Sequence, residues 1–217
     1  IDPGETTKEL ENGGDIVSEA SATAVTVNAS IAGKGAAAAL DEVWDGGTEA
    51  AATARGIVAG AVDTTLCTDG SITTGAEATS ASASAAITGQ GLSAAITTST
   101  ATADSIGIDA GEGKDIVANT GAIDAGAEAE AYAISAAITG KGVAVAGDAV
   151  WDGGTKAKAR AAGIDTGAGA DAIGNTAAVK AESSARTVGA ALSVAGQGIT
   201  GAISTSTAES EAVGIAS

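Results

Sequence analysis

The sequence predicts an all-β fold, a parallel β-helix (β-solenoid) built from four units of about 51–56 residues. Three observations carry this. Phrases recur through the chain at two fixed offsets. Glycine-rich turn phrases (GKG, GQG, DGG) interrupt it every dozen or so residues, within a total of 32 Gly. Between them, Ala alternates with polar residues or Gly, the period-two pattern of a strand with one buried face. The runner-up is an antiparallel hairpin meander turning at the GKG and WDGG phrases.

The long offset is 107. Trp44-Asp45-Gly46-Gly47-Thr48 recurs as Trp151-Asp152-Gly153-Gly154-Thr155, Gly33-Lys34-Gly35 as Gly140-Lys141-Gly142, and Gly89-Gln90-Gly91 as Gly196-Gln197-Gly198. It divides into 56 (Gly33 to Gly89) and 51 (Gly56-Ile57 to Gly107-Ile108), the difference being the WDGGT insert carried by alternate units. A unit of this length cannot bury its own apolar face, so neighbours must stack. The expected domain is residues 14–217, with units of about 14–55, 56–106, 107–162 and 163–217, each supplying two coils of roughly 25–28 residues.

Residues 1–13 are acidic, hold the only Pro and are expected to be a lead-in segment. In the first unit Ala20, Ala22 and Ala24 alternate with other residues, as Ala127, Ala129 and Ala131 do in the third. AAAALDEVW (36–44) and TEAAATARG (48–56) are rich in the best helix former. The surrounding Gly and β-branched residues assign them to strands. The second and fourth units replace WDGGT with Ser/Thr tracts around 96–102 and 203–207. Thr98, Thr100 and Thr102 share a face by alternation. Regular Thr arrays on flat solenoids resemble ice-binding surfaces, and the plainer reading is a solvated β face.

Composition narrows the function. With Lys+Arg 10 against Asp+Glu 27, the net charge is −17, which repels nucleic acid and anionic membranes and attracts cations. Aromatics are 1% of residues and His is absent, so the commonest general base and transition-metal ligand are missing. The core must be made of small side chains. The single cysteine, Cys67, permits no internal disulfide and reads as a small buried hydrophobe. No apolar run approaches the ~18 residues of a membrane span, so no membrane insertion is expected. Ile1 rather than Met opens the chain, from which we expect a slice of a longer protein.

One polar phrase is spelled twice: GIDAGEGKDIVANTGAI at 107–123 and GIDTGAGADAIGNTAAV at 163–179. The shared Gly-x-Gly-x-Asp-x-x-x-Asn spacing resembles half of the glycine/aspartate nonapeptide of RTX-type calcium β-rolls. That resemblance implies calcium, with Asp115 and Asp171 as carboxylate ligands, Asp109 and Asp165 as neighbouring donors, and Ile116 and Ile173 as nearby core residues. Calcium prefers six to eight oxygen ligands. The structural alternative is a repeated corner in which Gly supplies positive φ, Asp and Asn bond the local backbone, and Asn119 and Asn175 stack as a ladder. Read with the alternating Ala that follows, the phrase is also similar to the repetitive coils of large bacterial exoproteins, namely autotransporter passenger domains and filamentous-haemagglutinin-like adhesins. These are parallel β-helices that serve as stalks and sticky rods.

Trp44 and Trp151 occupy equivalent positions two units apart and would project from one side of a solenoid, where their faces suit sugar stacking; the plainer reading folds each over its own loop. Lys34 and Lys141 read as turn residues. No nucleophile–base pair, phosphate loop or zinc spacing is present, so no enzyme is expected. The expectation is a structural and adhesive module of a secreted or cell-surface bacterial protein. Its expected partners are cell-surface glycans or neighbouring solenoid segments, with end-to-end self-association at open coil edges. The alternative is a calcium- or carbohydrate-binding module; less favoured are ice binding and a polysaccharide-acting β-helix.

Overall fold

A computed structural model describes residues 8–41, 47–148 and 154–217. It contains twelve strands in three parallel four-stranded sheets and no helix among the described residues. The short sheet is β1 (Lys8–Asn12), β4 (Thr64–Thr68), β7 (Ile116–Asn119) and β10 (Ala172–Asn175). The long sheet is β2 (Ile16–Leu40), β5 (Ile72–Thr97), β8 (Ile123–Asp148) and β11 (Val179–Ile203). The third is β3 (Thr48–Val58), β6 (Ser99–Asp109), β9 (Thr155–Asp165) and β12 (Ser206–Ala216). Each sheet runs in chain order from coil to coil, as in a parallel β-solenoid, and the parallel pairing excludes the hairpin meander.

The sequence offsets are the strand registers. Ile16 pairs with Ile72, 56 residues on; Ile72 pairs with Ile123, 51 on; Ile123 pairs with Val179, 56 on. Each unit therefore makes one coil, not the two expected. The reason is the length of the long strands. Each passes through a tip at GKG or GQG and returns along the opposite wall, so one circuit uses the whole repeat. In coil 2 the inward residues are even-numbered from Ile72 to Thr88 and odd-numbered from Ser93 to Ser99, so the side-chain parity changes across Gly89-Gln90-Gly91. The acidic opening segment, expected as a lead-in, supplies Lys8–Asn12 as the first rung of the short sheet.

Between the tip and the short sheet, the two walls face one another across a very thin interior. Ser80 Oγ donates to Thr48 O at 2.7 Å, Ser93 Oγ to Ala86 O at 2.6 Å and Ser84 Oγ to Ile96 O at 3.1 Å. A seryl hydroxyl that bonds the opposite main chain holds the two backbones at about half the ~10 Å usual between stacked sheets. Only small side chains fit, and the inner layers are Ala clusters such as Ala78, Ala103, Ala129 and Ala161. At the other end the short sheet props the walls apart. The space is filled by Leu66, Ile72, Ile108, Val117, Ile123 and Ile164, all fully buried.

The corners depend on glycine where successive coils touch. Gly91 has φ +131°, and a Cβ there would lie 1.8 Å from Gly35 O; Gly111 has φ +90° and would meet Gly60 O at 1.8 Å. Neither conformation nor space admits a side chain. Gly91→Ala should therefore cost at least about 2–3 kcal/mol in strain and displaced backbone and lower the melting temperature clearly in calorimetry. Gly201→Ala, with open space at its Cβ, should melt like the parent; equal melting of the two variants would contradict this account of the tip.

Candidate functional site

The twice-spelled phrase spans the propped end. Ile108 packs inward, Ala110 to Lys114 turn the chain, β7 forms the short side, and Asn119-Thr120-Gly121 turn it again before Ile123. Within this corner Asp115 and Asp171 each cap the preceding coil, and Asp63 caps the following one. Thr64 N–H donates to Asp115 Oδ1 at 2.8 Å, and Asp115 N–H donates to Asp171 Oδ1 at 3.0 Å. Lys114 N–H donates to Asp63 Oδ1 at 2.9 Å. Asn119 Nδ2 donates to Asn175 Oδ1 and to Gly121 O, both at 2.7 Å, and Asn175 Nδ2 to Ala177 O at 2.8 Å. The asparagines thus form a ladder that also closes the local turn.

The four predicted calcium ligands are not gathered at one point. Asp115 and Asp171 are stacked neighbours. Asp109 and Asp165 instead serve an arginine ladder on the outer face of the third sheet. Arg55 bonds Asp109 and lies 3.5 Å from Asp104; Arg160 lies 3.4 Å from Asp104 and 2.5 Å from Asp165. The Asp165 hydrogen bond raises the Arg160 pKa above its ordinary value, against the opposing effect of burial. Such half-exposed pairs contribute little individually. Asp63, which lies in the corresponding region of the second unit without the flanking glycines, is set by the 51-residue register opposite Lys114, next to Asp115.

Asp115 is the unusual group. It is fully buried, and its Oδ2 has no partner among the described residues. Burial pushes its pKa above the ordinary carboxyl value; the Thr64 N–H lowers it, and Asp171 and Asp63 raise it further. No cluster of three or more His, Cys, Asp or Glu among the described residues is arranged to hold a metal ion. What the corner offers a cation is one orphaned buried oxygen beside two further carboxylates.

Other expected residues are placed differently. Ile116 points outward and is 46% exposed, because Val117 takes the inward position two residues after Asp115, as Ile173 does after Asp171. Cys67 is exposed, since Leu66 fills the interior in the five-residue β4. Thr100 and Thr102 face outward on the third sheet, whereas Thr98 is buried at the break between β5 and β6. The register sets Thr100 beside Glu49 and Lys156, so Thr does not repeat from coil to coil there. Trp44 and Trp151 lie outside the described residues. At the base of their loops, Thr48 Oγ1 donates to Asp41 Oδ2 at 2.8 Å and Thr155 Oγ1 to Asp148 Oδ2 at 2.6 Å. Asp148 is raised in pKa by burial, with the Thr155 bonds opposing.

On the outer face of the long sheet, Gly75 and Gly126 leave a shallow groove bordered by Glu19, Glu77, Glu128 and Glu182. Along the same face toward the tip the character reverses, and large apolar side chains stand in solvent, Val27 at 74% and Ile31 at 79% exposure. No helix of the described residues is long and apolar enough to cross a membrane.

No protein-family model matches the chain, and neither a curated protein nor a solved structure matches it.

The direction of the Asp115 shift fixes a pH dependence. A carboxyl whose pKa is higher in the fold than in the open chain stabilises the fold fully below its unfolded value near 3.8, and that contribution is lost as pH rises through the raised value. Asp115→Asn keeps an acceptor for Thr64 N–H and removes the buried charge. It should raise the neutral-pH melting temperature by a few degrees and flatten the fall in stability as pH rises above the unfolded value near 3.8. A variant less stable at every pH would show that the ionised carboxylate is needed.

Proposed function

We propose that the chain is a structural and adhesive repeat module of a large secreted or cell-surface bacterial protein: a solenoid rod segment that displays loops along its length. The observation that supports this reading is the unbroken 51/56 register, which stacks four coils with their edge strands still free to pair. Its mechanism is geometric. Coil stacking gives a stiff spacing, and weak contacts repeated along the rod add up through effective concentration. Glycans or neighbouring solenoid segments are the partners this reading expects. Inserting a second copy of residues 56–162 in register should lengthen the particle by about two strand spacings, roughly 10 Å, in small-angle scattering, with the cross-section unchanged. A wider particle, or a separately melting insert, would refute the rod.

A second reading has one observation behind it, the orphaned Asp115 Oδ2. A calcium ion would satisfy that oxygen with help from Asp63 and Asp171; a proton would satisfy it equally well. Calcium that binds only the folded chain raises the melting temperature as its concentration passes its dissociation constant. The calcium reading expects that rise in the parent and its loss in Asp115→Asn. No rise at saturating calcium would leave the proton as the occupant.

A further inference from the structure

The outer face of the long sheet is divided along its strands. Toward the short sheet, its outward columns carry Asp124, Lys180, Glu77, Glu128, Glu130 and Arg186. Toward the tip, the next four outward columns carry no charge, and their one polar group is the Tyr132 hydroxyl, which donates to Glu130 at the border. The first reads Val25, Ala81, Tyr132, Val188 across the coils, and the last reads Ile31, Ile87, Ile138, Val194. The two columns between hold only Val, Ala, Ile and Leu. The stretches 24–40, 80–97, 131–147 and 187–203 contain no Asp or Glu, and Lys34 and Lys141 at the tips are their only charged residues. In a chain of net charge −17, this is a strict separation.

Four strands, each contributing four outward positions over seven residues, cover about 19 Å by 23 Å, roughly 450 Å² in flat projection. Protruding side chains make the accessible area larger. A patch of this size on a soluble surface marks a contact site. Two such faces together bury on the order of 1,000 Å², the lower bound of a specific interface. The opposite wall's apolar strip near the tip, around Leu40, Leu92 and Ile199, is only three columns wide and falls short of that bound.

We propose that the apolar face of the long sheet packs against the same face of a second copy of this chain, with the strands of the two copies antiparallel. The twofold axis runs parallel to the direction of coil stacking and passes between the Val27 and Ala29 columns, giving a self-complementary interface. It sets each Val25 column against an Ile31 column. It also carries the tip of one copy over the polar border of the other, so that Lys141 lies over the partner's Glu128 and Glu130, and Lys34 lies near the partner's Glu19. The lysines that would otherwise be unexplained at an apolar edge thereby meet carboxylates. A lipid surface is a poorer occupant. Insertion of this edge would carry Lys34 and Lys141 in first, at the cost of burying charge in hydrocarbon, and the acidic body would face the headgroups.

Sedimentation equilibrium of the full chain tests this across the micromolar to submillimolar range. The parent should pass from 20.1 kDa toward twice that mass as concentration rises. Ile134→Glu and Leu192→Gln, both at exposed outward positions, should stay monomeric with parental circular dichroism and melting. Lys141→Glu should weaken the dimer at least several-fold, and adding Glu128→Lys and Glu130→Lys should restore it. A parent that stays monomeric throughout overturns the proposal. So does a dimer indifferent to both apolar variants, which would place the contact at the coil edges. A monomer that co-sediments with phosphatidylcholine vesicles would make lipid the occupant, and indifference to Lys141→Glu would reject the antiparallel arrangement.

Discussion

The close approach of two walls governs this protein. When a side-chain hydroxyl of one wall bonds a carbonyl of the facing one, as Ser80 does with Thr48, the gap admits only small side chains, chiefly Ala, Ser and Thr. The absence of Phe and Met and the abundance of Ala follow from that gap. Burying an Ala removes little apolar area, so each rung gains less from water exclusion than a Leu-rich core would. The deficit is met by number. The inner strands β5 and β8, of 26 residues each, pair along nearly their full length with both neighbours. The bulky residues gather where the short sheet opens the walls, and there Ile72, Ile108 and Val117 form an ordinary packed cluster.

The same gap explains why polar atoms are admitted inside. In a wide apolar core a seryl hydroxyl would be stranded and costly. Here the opposite backbone is within reach, so Ser84 and Ser93 are satisfied across the gap, and Ser99 and Ser105 by facing hydroxyls. Coils 1 and 3 rely more on Ala at these positions, coil 2 on Ser, and both satisfy the same spacing. The corners answer a related constraint. Coils stacked in strict register bring carbonyl oxygens to where a Cβ would sit, so Gly35 and Gly91, or Gly60 and Gly111, stand above one another. The polar phrase at 107–123 belongs to this logic first. Its Asp and Asn side chains bond the backbone of adjacent coils and turns, and Asp115 and Asn119 each retain one buried oxygen without a partner among the described residues.

Much of this was legible in the sequence. Fixed offsets of 51 and 56 gave the register directly, because in a parallel stack the residue one period on is the residue alongside. Period two identified the strands. What escaped was the shape of a coil. A tip of Gly-Gln-Gly shifts the inward parity by one, from Thr88 to Ser93, and no composition change announces that the chain has folded back on itself. Short strands were equally ambiguous. In β4 and β7 a single step decides whether Leu66 or Cys67, and Val117 or Ile116, points in, and only the neighbouring coils settle it. The pairing of Asp109 with Arg55 was hidden because the two lie on neighbouring rungs, and that of Asp165 with Arg160 because the two stand five residues apart on one strand, off the period-two alternation.

The deepest illegibility is an inversion. Along 24–31, the sequence Ala-Val-Thr-Val-Asn-Ala-Ser-Ile would ordinarily be read with Val and Ile inward and Thr, Asn and Ser outward. The structure reverses it: Thr26, Asn28 and Ser30 face the gap, and Val25, Val27 and Ile31 face solvent. Hydrogen-bonding reach rather than hydrophobicity decides, since the facing main chain lies within reach of these polar side chains, as Asn28 Nδ2 donating to Leu40 O at 3.2 Å shows. The gap does not, however, require large apolar residues outside. On the same strands nearer the short sheet, Glu128 and Lys180 occupy outward positions of the same kind without disturbing the interior. The outward Val, Ile and Leu near the tip are therefore not a by-product of the thin core. They are surplus to the coil, confined to one end and free of acids, and contact with another surface is the physical use that such a face has.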